Sequence, residues 1–133
     1  MTFRLLFFDF LHKLQQDPKR LQILGDGRQT KSYIHVTDLV SAIIQFMGTE
    51  NPSVSLYNVG VQGDTSVTRI ADIICQELKL DSVEYEYTGG EGGWKGDVPK
   101  FRYCIDKINN SGWSAKYTSD EAVRKAVQEN IKR

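Results

Sequence analysis

The stretch GDGRQTKSYIHVTDLV, residues 25–40, carries the local signals that decide the fold of this chain. Its first three residues form a turn signal, since glycine accepts backbone angles that other residues avoid. Residues 31–36 alternate as a strand does, and Thr37 can then cap a helix that runs to Gly48. The apolar residues of that helix repeat at three and four positions and predict a buried face of Leu39, Val40, Ile43, Ile44 and Met47.

Helix and strand signals continue on both sides of this stretch. Before it, residues 4–16 predict a helix that Pro18 ends, and residues 21–24 predict a short strand. After it, the pattern predicts a strand at 55–60, a helix at 66–80, a strand at 83–87, a short helix at 105–109 and a last helix opened by a capping box of Thr118 and Glu121. The sequence therefore predicts one mixed α and β domain over residues 1–133, without an internal repeat.

Composition and charge exclude several classes of function. The chain has 133 residues, with 17 basic and 17 acidic side chains and a net charge of zero. This balance argues against nucleic acids and anionic membranes as partners. The two cysteines, Cys75 and Cys104, lack the spacing of a metal site or a disulfide framework, so we expect no metal, a buried Cys75, an inert Cys104 and a cytoplasmic location. No apolar run approaches the length of a membrane span.

Four motifs in order resemble one enzyme family. Residues 25–40 resemble the GDGxQTRxYxxVxDxV signature of the extended short-chain dehydrogenases, which are NAD-dependent nucleotide-sugar epimerases and dehydratases. The further matches are LYNVG at 56–60, WKGDVP at 94–99 and GW at 112–113. The resemblance implies an α/β fold that corresponds to the C-terminal, substrate-binding portion of such an enzyme and lacks its Rossmann half.

The cofactor and catalytic motifs of that family lie in the half that the resemblance does not cover. No GxGxxG or GxxGxxG fingerprint occurs in the chain, and GDGRQT at 25–30 lacks the last glycine and does not open a helix directly. Tyr103 and Lys107 have the family's YxxxK spacing, but they follow the GDVP motif, where the family has a surface helix. The resemblance therefore implies NAD in the complete enzyme, and no cofactor site or catalytic residue in this chain alone.

Three positions are candidates for contact with a sugar nucleotide. Lys31 stands where the family usually has an arginine that reaches the diphosphate, and Asp97 matches a carboxylate that accepts the ribose hydroxyls. The backbone near Leu24 stands where the family lines the base. The alternatives are a solvated cation at a strand end for Lys31 and a turn residue for Asp97.

The chain departs from the family where many relatives carry a second phosphate-binding arginine. Glu91, Gly92, Gly93 and Trp94 occupy that place. Lys95 or Arg28 can compensate, since two cations normally offset a diphosphate. Trp94 can stack on a base or sugar, or it can close the edge of the core.

Two functions of different classes follow from these observations. In the first, the chain is the nucleotide-sugar-binding portion of an epimerase or dehydratase, an isomerase or lyase that is incomplete without its Rossmann half. In the second, it is a non-catalytic protein-interaction module that has kept the fold. His12 is expected to be solvated and His35 to be a hydrogen-bonded structural residue.

The first predicted helix carries apolar residues on more than one side, so under either function part of its apolar surface requires a contact with another polypeptide. Leu5, Leu6 and Phe8 fall off the main stripe of the first helix, which predicts a contact with a Rossmann half or, failing that, a homodimer through this helix.

Overall fold

The computed structural model describes residues 6–48, 53–90 and 102–131, and a parallel pair of strands brings together segments that are distant in the sequence. The elements are α1 (Leu6–Gln16), β1 (Arg20–Ile23), β2 (Thr30–Lys31), α2 (Val36–Met47), β3 (Thr65–Ser66), α3 (Val67–Glu77), β4 (Glu84–Tyr87), α4 (Asp106–Asn110) and α5 (Ser119–Ile131). Strand β1 pairs with β4 in parallel, from Arg20 opposite Glu84 to Ile23 opposite Tyr87. Parallel strands need a long connection between them, and here it contains α2 and α3.

A second, shorter ladder fixes the entry to α3. Strands β2 and β3 pair antiparallel, with Thr30 opposite Ser66 and Lys31 opposite Thr65. Ser66 then caps α3, because its hydroxyl accepts the Arg69 N–H at 3.0 Å. The mixed α/β class and the cap at Ser66 agree with the sequence prediction.

The larger apolar cluster lies between α1, β1, α3 and α5. Its members include Phe10, Leu14, Leu21, Ile23, Ile70, Ile73, Ile74, Val123 and Val127. The alternation of burial along β1 buries Leu21 and Ile23, and the helical repeat in α3 buries all three isoleucines. The helices predicted at residues 4–16, at 66–80 and after Thr118 are therefore present, and each buries apolar residues at helical spacing. Leu6 is partly buried against this cluster and Phe8 is 44% exposed, so the contact surface on α1 stays a prediction. Leu5 lies outside the described residues.

The capping box predicted for α5 is present. The Thr118 N–H donates to the Glu121 carboxylate at 2.9 Å, and the Thr118 hydroxyl accepts the Glu121 N–H at 3.4 Å. These bonds satisfy backbone groups that a helix start leaves without partners. Within the described ranges, the longest helices fall short of what a bilayer crossing would require.

The predicted buried face of α2 is wrong. Leu39, Val40, Ile43, Ile44 and Met47 are all exposed, and Asp38 and Ala42 face the protein instead. Hydrogen bonds explain this orientation: the Asp38 carboxylate accepts the Tyr117 N–H at 3.1 Å, and the Ser41 hydroxyl accepts the Trp113 indole N–H at 2.9 Å. The polar side of α2 is thus bound to the segment before α5, and its apolar side faces outward.

The start of α2 also differs from the prediction. The strand expected at residues 31–36 covers only Thr30–Lys31, and Val36 already belongs to the helix. His35, rather than Thr37, is the cap: its Nδ1 accepts the Thr37 N–H at 3.3 Å. His35 is buried, and its Nε2 lies 3.1 Å from the Glu129 carboxylate, so its predicted structural role is confirmed.

Residues 55–60, predicted to be a strand, form no ladder within the described part of the chain, so that prediction is wrong. Tyr57 and Val59 pack against a smaller cluster of Ala42, Ile108 and Trp113. Val54 and Leu56 are 92% and 78% exposed. The two-residue alternation typical of a strand is therefore present without a neighbouring strand.

Candidate functional site

The carboxyl ends of β1 and β4 meet at one edge of the parallel pair, and the chain is tied together there. Past the strands, the Thr88 N–H donates to the Ile23 carbonyl at 3.0 Å. The Gly25 N–H donates to the Thr88 hydroxyl at 2.9 Å, and the Gly89 N–H donates to the Gly25 carbonyl at 2.9 Å. In open α/β sheets, ligands bind outside the carboxyl ends of the strands. This edge is therefore the candidate site.

Gly27 locks the loop between β1 and β2 against α3 and β4. Its backbone has a φ of +74°, and a Cβ atom at this position would collide with the Thr68 hydroxyl and the Tyr87 ring. Its carbonyl accepts both the N–H and the hydroxyl of Thr68 at 3.1 Å. The glycine is needed both for its backbone angle and for this close approach.

The side chains of Leu24, Arg28 and Lys31 are exposed around this loop. Leu24 follows β1 directly and is 42% exposed. Arg28 lies in a turn in which its N–H donates to the Asp26 carboxylate at 2.9 Å. Lys31 is the last residue of β2. The structure thus brings three of the six predicted substrate contacts to one loop, while Asp97, Trp94 and Lys95 lie outside the described residues.

Ser32, the residue after Lys31, lines a cavity of about 250 Å³. It is lined by Ser32, Gly60, Val61, Gln62, Gly63, Asp64, Arg102, Tyr103 and Ile105. The Ser32 hydroxyl donates to the Gly63 carbonyl at 3.0 Å, and the Arg102 guanidinium lies 3.9 Å from the Asp64 carboxylate. Because the Arg102 side chain is 83% exposed, this ion pair contributes little to stability.

Sequence reasoning did not single out Arg102, which lines this cavity. It is the first described residue after the GDVP motif, and it lines the cavity that follows Lys31. The available sequence signal was a basic residue three positions past Pro99. In the structure this residue lines the same cavity as Val61 and Gln62, which follow the LYNVG motif. Ser32 and Tyr103 were likewise not predicted to line a cavity.

In the YxxxK pair, the described contacts of the Lys107 ammonium are with residues 56–57. The Lys107 ammonium donates to the Leu56 carbonyl at 2.6 Å and lies 4.7 Å from the centroid of the Tyr57 ring. It is therefore engaged with residues 56–57, and Tyr103 lines the cavity from an exposed position.

Neither cysteine stands at this edge. Cys75 is buried in the larger cluster, and burial raises the pKa of its thiol, which keeps it protonated at neutral pH. Cys104 is exposed, with its sulfur 3.6 Å from the Asp106 carboxylate. His12 is exposed on α1, as predicted.

Comparison with known proteins identifies what the chain is similar to. It is 28% identical over 119 residues to dTDP-D-glucose 4,6-dehydratase of Homo sapiens, a match that covers 86% of this chain and 33% of that protein. It is 27% identical over 118 residues to a putative UDP-glucose 4-epimerase of Methanocaldococcus jannaschii, covering 89% of this chain and 36% of that protein. No protein-family model matches.

Solved structures of the same kinds of enzyme share the fold. A crystal structure of UDP-galactose 4-epimerase matches with a TM-score of 0.75 and 29% identity over 97% of this chain and 40% of that one. The dTDP-glucose 4,6-dehydratase of Bacillus anthracis, in complex with NAD, matches with a TM-score of 0.71 and 25% identity. The chain spans about a third of the length of the curated relatives it matches, and it corresponds to their C-terminal portion.

Proposed function

We propose that this chain, whose homologues and structural neighbours are NAD-dependent nucleotide-sugar epimerases and dehydratases, is the portion of such an enzyme that binds the sugar nucleotide. The observation that carries the proposal is the edge where β1 and β4 end, because the motif-bearing loop is fixed there by Gly27. The match to a UDP-galactose 4-epimerase, at 29% identity, supports the same assignment.

The proposed contacts divide the ligand into three parts. Lys31 neutralises the diphosphate, with Arg28, Lys95 or Arg102 as the second cation. Asp97 accepts the ribose hydroxyls, and the backbone near Leu24 contacts the base. Trp94 offers an aromatic face to the base or sugar. Leu24 and Arg28 belong to the loop after β1, Lys31 ends β2, and the other positions follow β4 in the sequence.

In this proposal, residues outside this chain bind NAD and provide the acid–base pair. Its residues would hold the nucleotide end of the substrate and leave the sugar to the catalytic groups. In this proposal the reaction is a redox-assisted epimerisation, dehydration or decarboxylation in the cytoplasm. One domain over residues 1–133 suffices for the binding role.

Titration calorimetry with UDP-glucose, dTDP-glucose, UDP and uridine tests the proposal. With part of the pocket absent, we expect millimolar or weaker binding, about 4 kcal/mol or less. Lys31→Ala should weaken UDP by about tenfold and uridine by less than twofold, because a charge-assisted bond to phosphate contributes about 1.5 kcal/mol. Asp97→Ala should weaken both ligands.

A matched control removes the same charge elsewhere. Lys19 precedes β1 at the end of the strand opposite to the site, so Lys19→Ala should leave both affinities unchanged. Equal losses of UDP and uridine in the Lys31 variant would refute the phosphate contact.

The second candidate function, a non-catalytic interaction module, is favoured by the exposed apolar side of α2. No affinity for any of the four ligands, with the fold intact, would support it over the first.

A further inference from the structure

Two hydroxyl groups meet in the interior of the protein, where α5 begins beside the ladder of β2 and β3. Thr65 and Ser119 are each 1% exposed, and their hydroxyl oxygens lie 2.7 Å apart. Burying a hydroxyl costs free energy unless it is hydrogen-bonded. The partners of these two groups therefore show what the pair holds in place.

The hydrogen bonds of this pair run in one direction. The Thr65 hydroxyl donates its single proton to the Asp120 carboxylate at 2.7 Å, so towards Ser119 it acts as an acceptor. The Ser119 hydroxyl donates to Thr65, and its oxygen accepts the Tyr33 N–H at 3.0 Å. The Arg69 guanidinium donates to the same carboxylate at 2.9 Å. An ion pair at one end of the chain of bonds thus orients every donor up to a backbone N–H at the other end.

Ser119 also joins the strand that carries Lys31 to the loop that lines the cavity. The Ser119 hydroxyl lies 3.5 Å from the Lys31 carbonyl, and the Ser119 N–H donates to the Gln62 carbonyl at 3.1 Å. Gln62 and Ser32 both line the cavity of about 250 Å³. One buried residue at the first position of α5 therefore contacts both segments.

Strand β2 is too short to hold its own position. It contains only Thr30 and Lys31, which pair with Ser66 and Thr65. A two-stranded ladder is marginally stable in water without further support. Because Lys31 stands opposite Thr65, the hydroxyl pair supports the Lys31 backbone through both strands.

We propose that Ser119 is a positioning residue of the nucleotide site, which holds the backbone of residues 31–33 so that the exposed Lys31 side chain meets the diphosphate. Because Ser119 is buried, it acts through Lys31 rather than on the ligand itself. Binding groups must be held within about 0.5 Å of their productive position, which a buried network of bonds achieves. The inference rests on the proposed function, since it takes Lys31 as the phosphate contact.

Nuclear magnetic resonance titrations of this chain with UDP and with uridine, at constant ionic strength, test the proposal. Ser119→Ala should weaken UDP about fivefold, a part of the effect expected for loss of the Lys31 charge, and uridine less than twofold. Hydrogen exchange at the Tyr33 amide should become faster in the same variant, because that N–H loses its acceptor.

A double-mutant cycle distinguishes an effect through Lys31 from a general loss of stability. In the Lys31→Ala chain, Ser119→Ala should weaken UDP by less than a further factor of about two, because no ammonium is left to position. Ser41→Ala is the matched control, since it removes a different hydroxyl that joins two segments through the Trp113 indole. It should leave the affinities for UDP and uridine unchanged.

Three results would each overturn the proposal. They are equal losses of UDP and uridine in Ser119→Ala, the same loss of UDP in the Lys31→Ala chain as in the unmodified chain, and unchanged exchange at the Tyr33 amide. If Ser119→Ala does not fold, Ser119→Cys replaces it in every measurement, because a thiol fills the site but is a weak donor and acceptor.

Failure of the proposed function gives a different result. If the unmodified chain does not bind UDP, the proposed function is refuted and this inference with it. If the unmodified chain binds UDP and Ser119→Ala binds it equally well, only this inference is refuted.

Discussion

Gly27 combines a positive φ with close contact to both Thr68 and Tyr87. Gly63 has a similar φ of +84° but no atom within 4 Å of a built Cβ. The two positions therefore separate the cost of backbone conformation from the cost of crowding.

We expect Gly27→Ala to lower the free energy of unfolding by about 2–4 kcal/mol, the sum of left-handed backbone strain and overpacking. Gly63→Ala should cost about 1–2 kcal/mol, since only the backbone term remains. Urea denaturation of both variants measures the difference. Equal losses would mean that the loop relaxes away from Thr68 and Tyr87.

The residue scale also marks what sequence can and cannot predict about the site. The motif predicts Gly27 as a turn residue. Its contacts with Thr68 in α3 and Tyr87 in β4 depend on tertiary structure, because both residues are distant in the sequence. Arg102 was missed for the same reason, since its place in a cavity with Ser32 follows from tertiary structure. Whether Lys31 and Asp97 hold phosphate and ribose stays a prediction.

At the scale of elements, α5 is fastened to α3 and β3 through Asp120. Its carboxylate accepts hydrogen bonds from the Thr65 hydroxyl at 2.7 Å and from the Arg69 guanidinium at 2.9 Å. Burial alone would raise the pKa of Asp120, but these two bonds outweigh it and hold the pKa below its usual value of 3.8. The pairing therefore stabilises the fold above that pH and is lost as the pH falls through the lowered pKa.

Asp120→Asn should lower the free energy of unfolding at pH 7 by about 1 kcal/mol, a modest value because the side chain is 41% exposed. The difference from the unmodified chain should shrink as the pH falls below the usual value of 3.8. Denaturant titrations from pH 7 to about pH 3 follow it. Asp81→Asn, at an exposed position, is the control; a difference that persists at low pH would contradict the charge-dependent role.

The helices and strands show why some sequence patterns predict which residues are buried and others do not. The repeats in α1, α3 and α5 identify their core faces because the cover lies within the chain. The equally clear repeat in α2 identifies an apolar face but not what covers it. The strand pattern at 55–60 is incomplete in the same sense, since a strand exists only with a partner.

At the scale of the whole molecule, the absence of a glycine fingerprint from the sequence carries a prediction about NAD. We expect equilibrium dialysis of this chain with NAD to give no dissociation constant tighter than about 0.1 mM, or about 5 kcal/mol. Tight binding by this chain alone would show that a second kind of cofactor site exists in it.

The pairing of β1 with β4 also determines when the chain can fold during its synthesis. Gly25 and Thr88, which join the ends of these strands, are 63 residues apart in the sequence. At typical translation rates roughly 3–12 seconds pass between the two segments, so β1 leaves the ribosome long before its partner strand exists. Closing so large a loop also costs chain entropy before any contact repays it. Molecular chaperones are therefore most needed in the interval before β4 emerges.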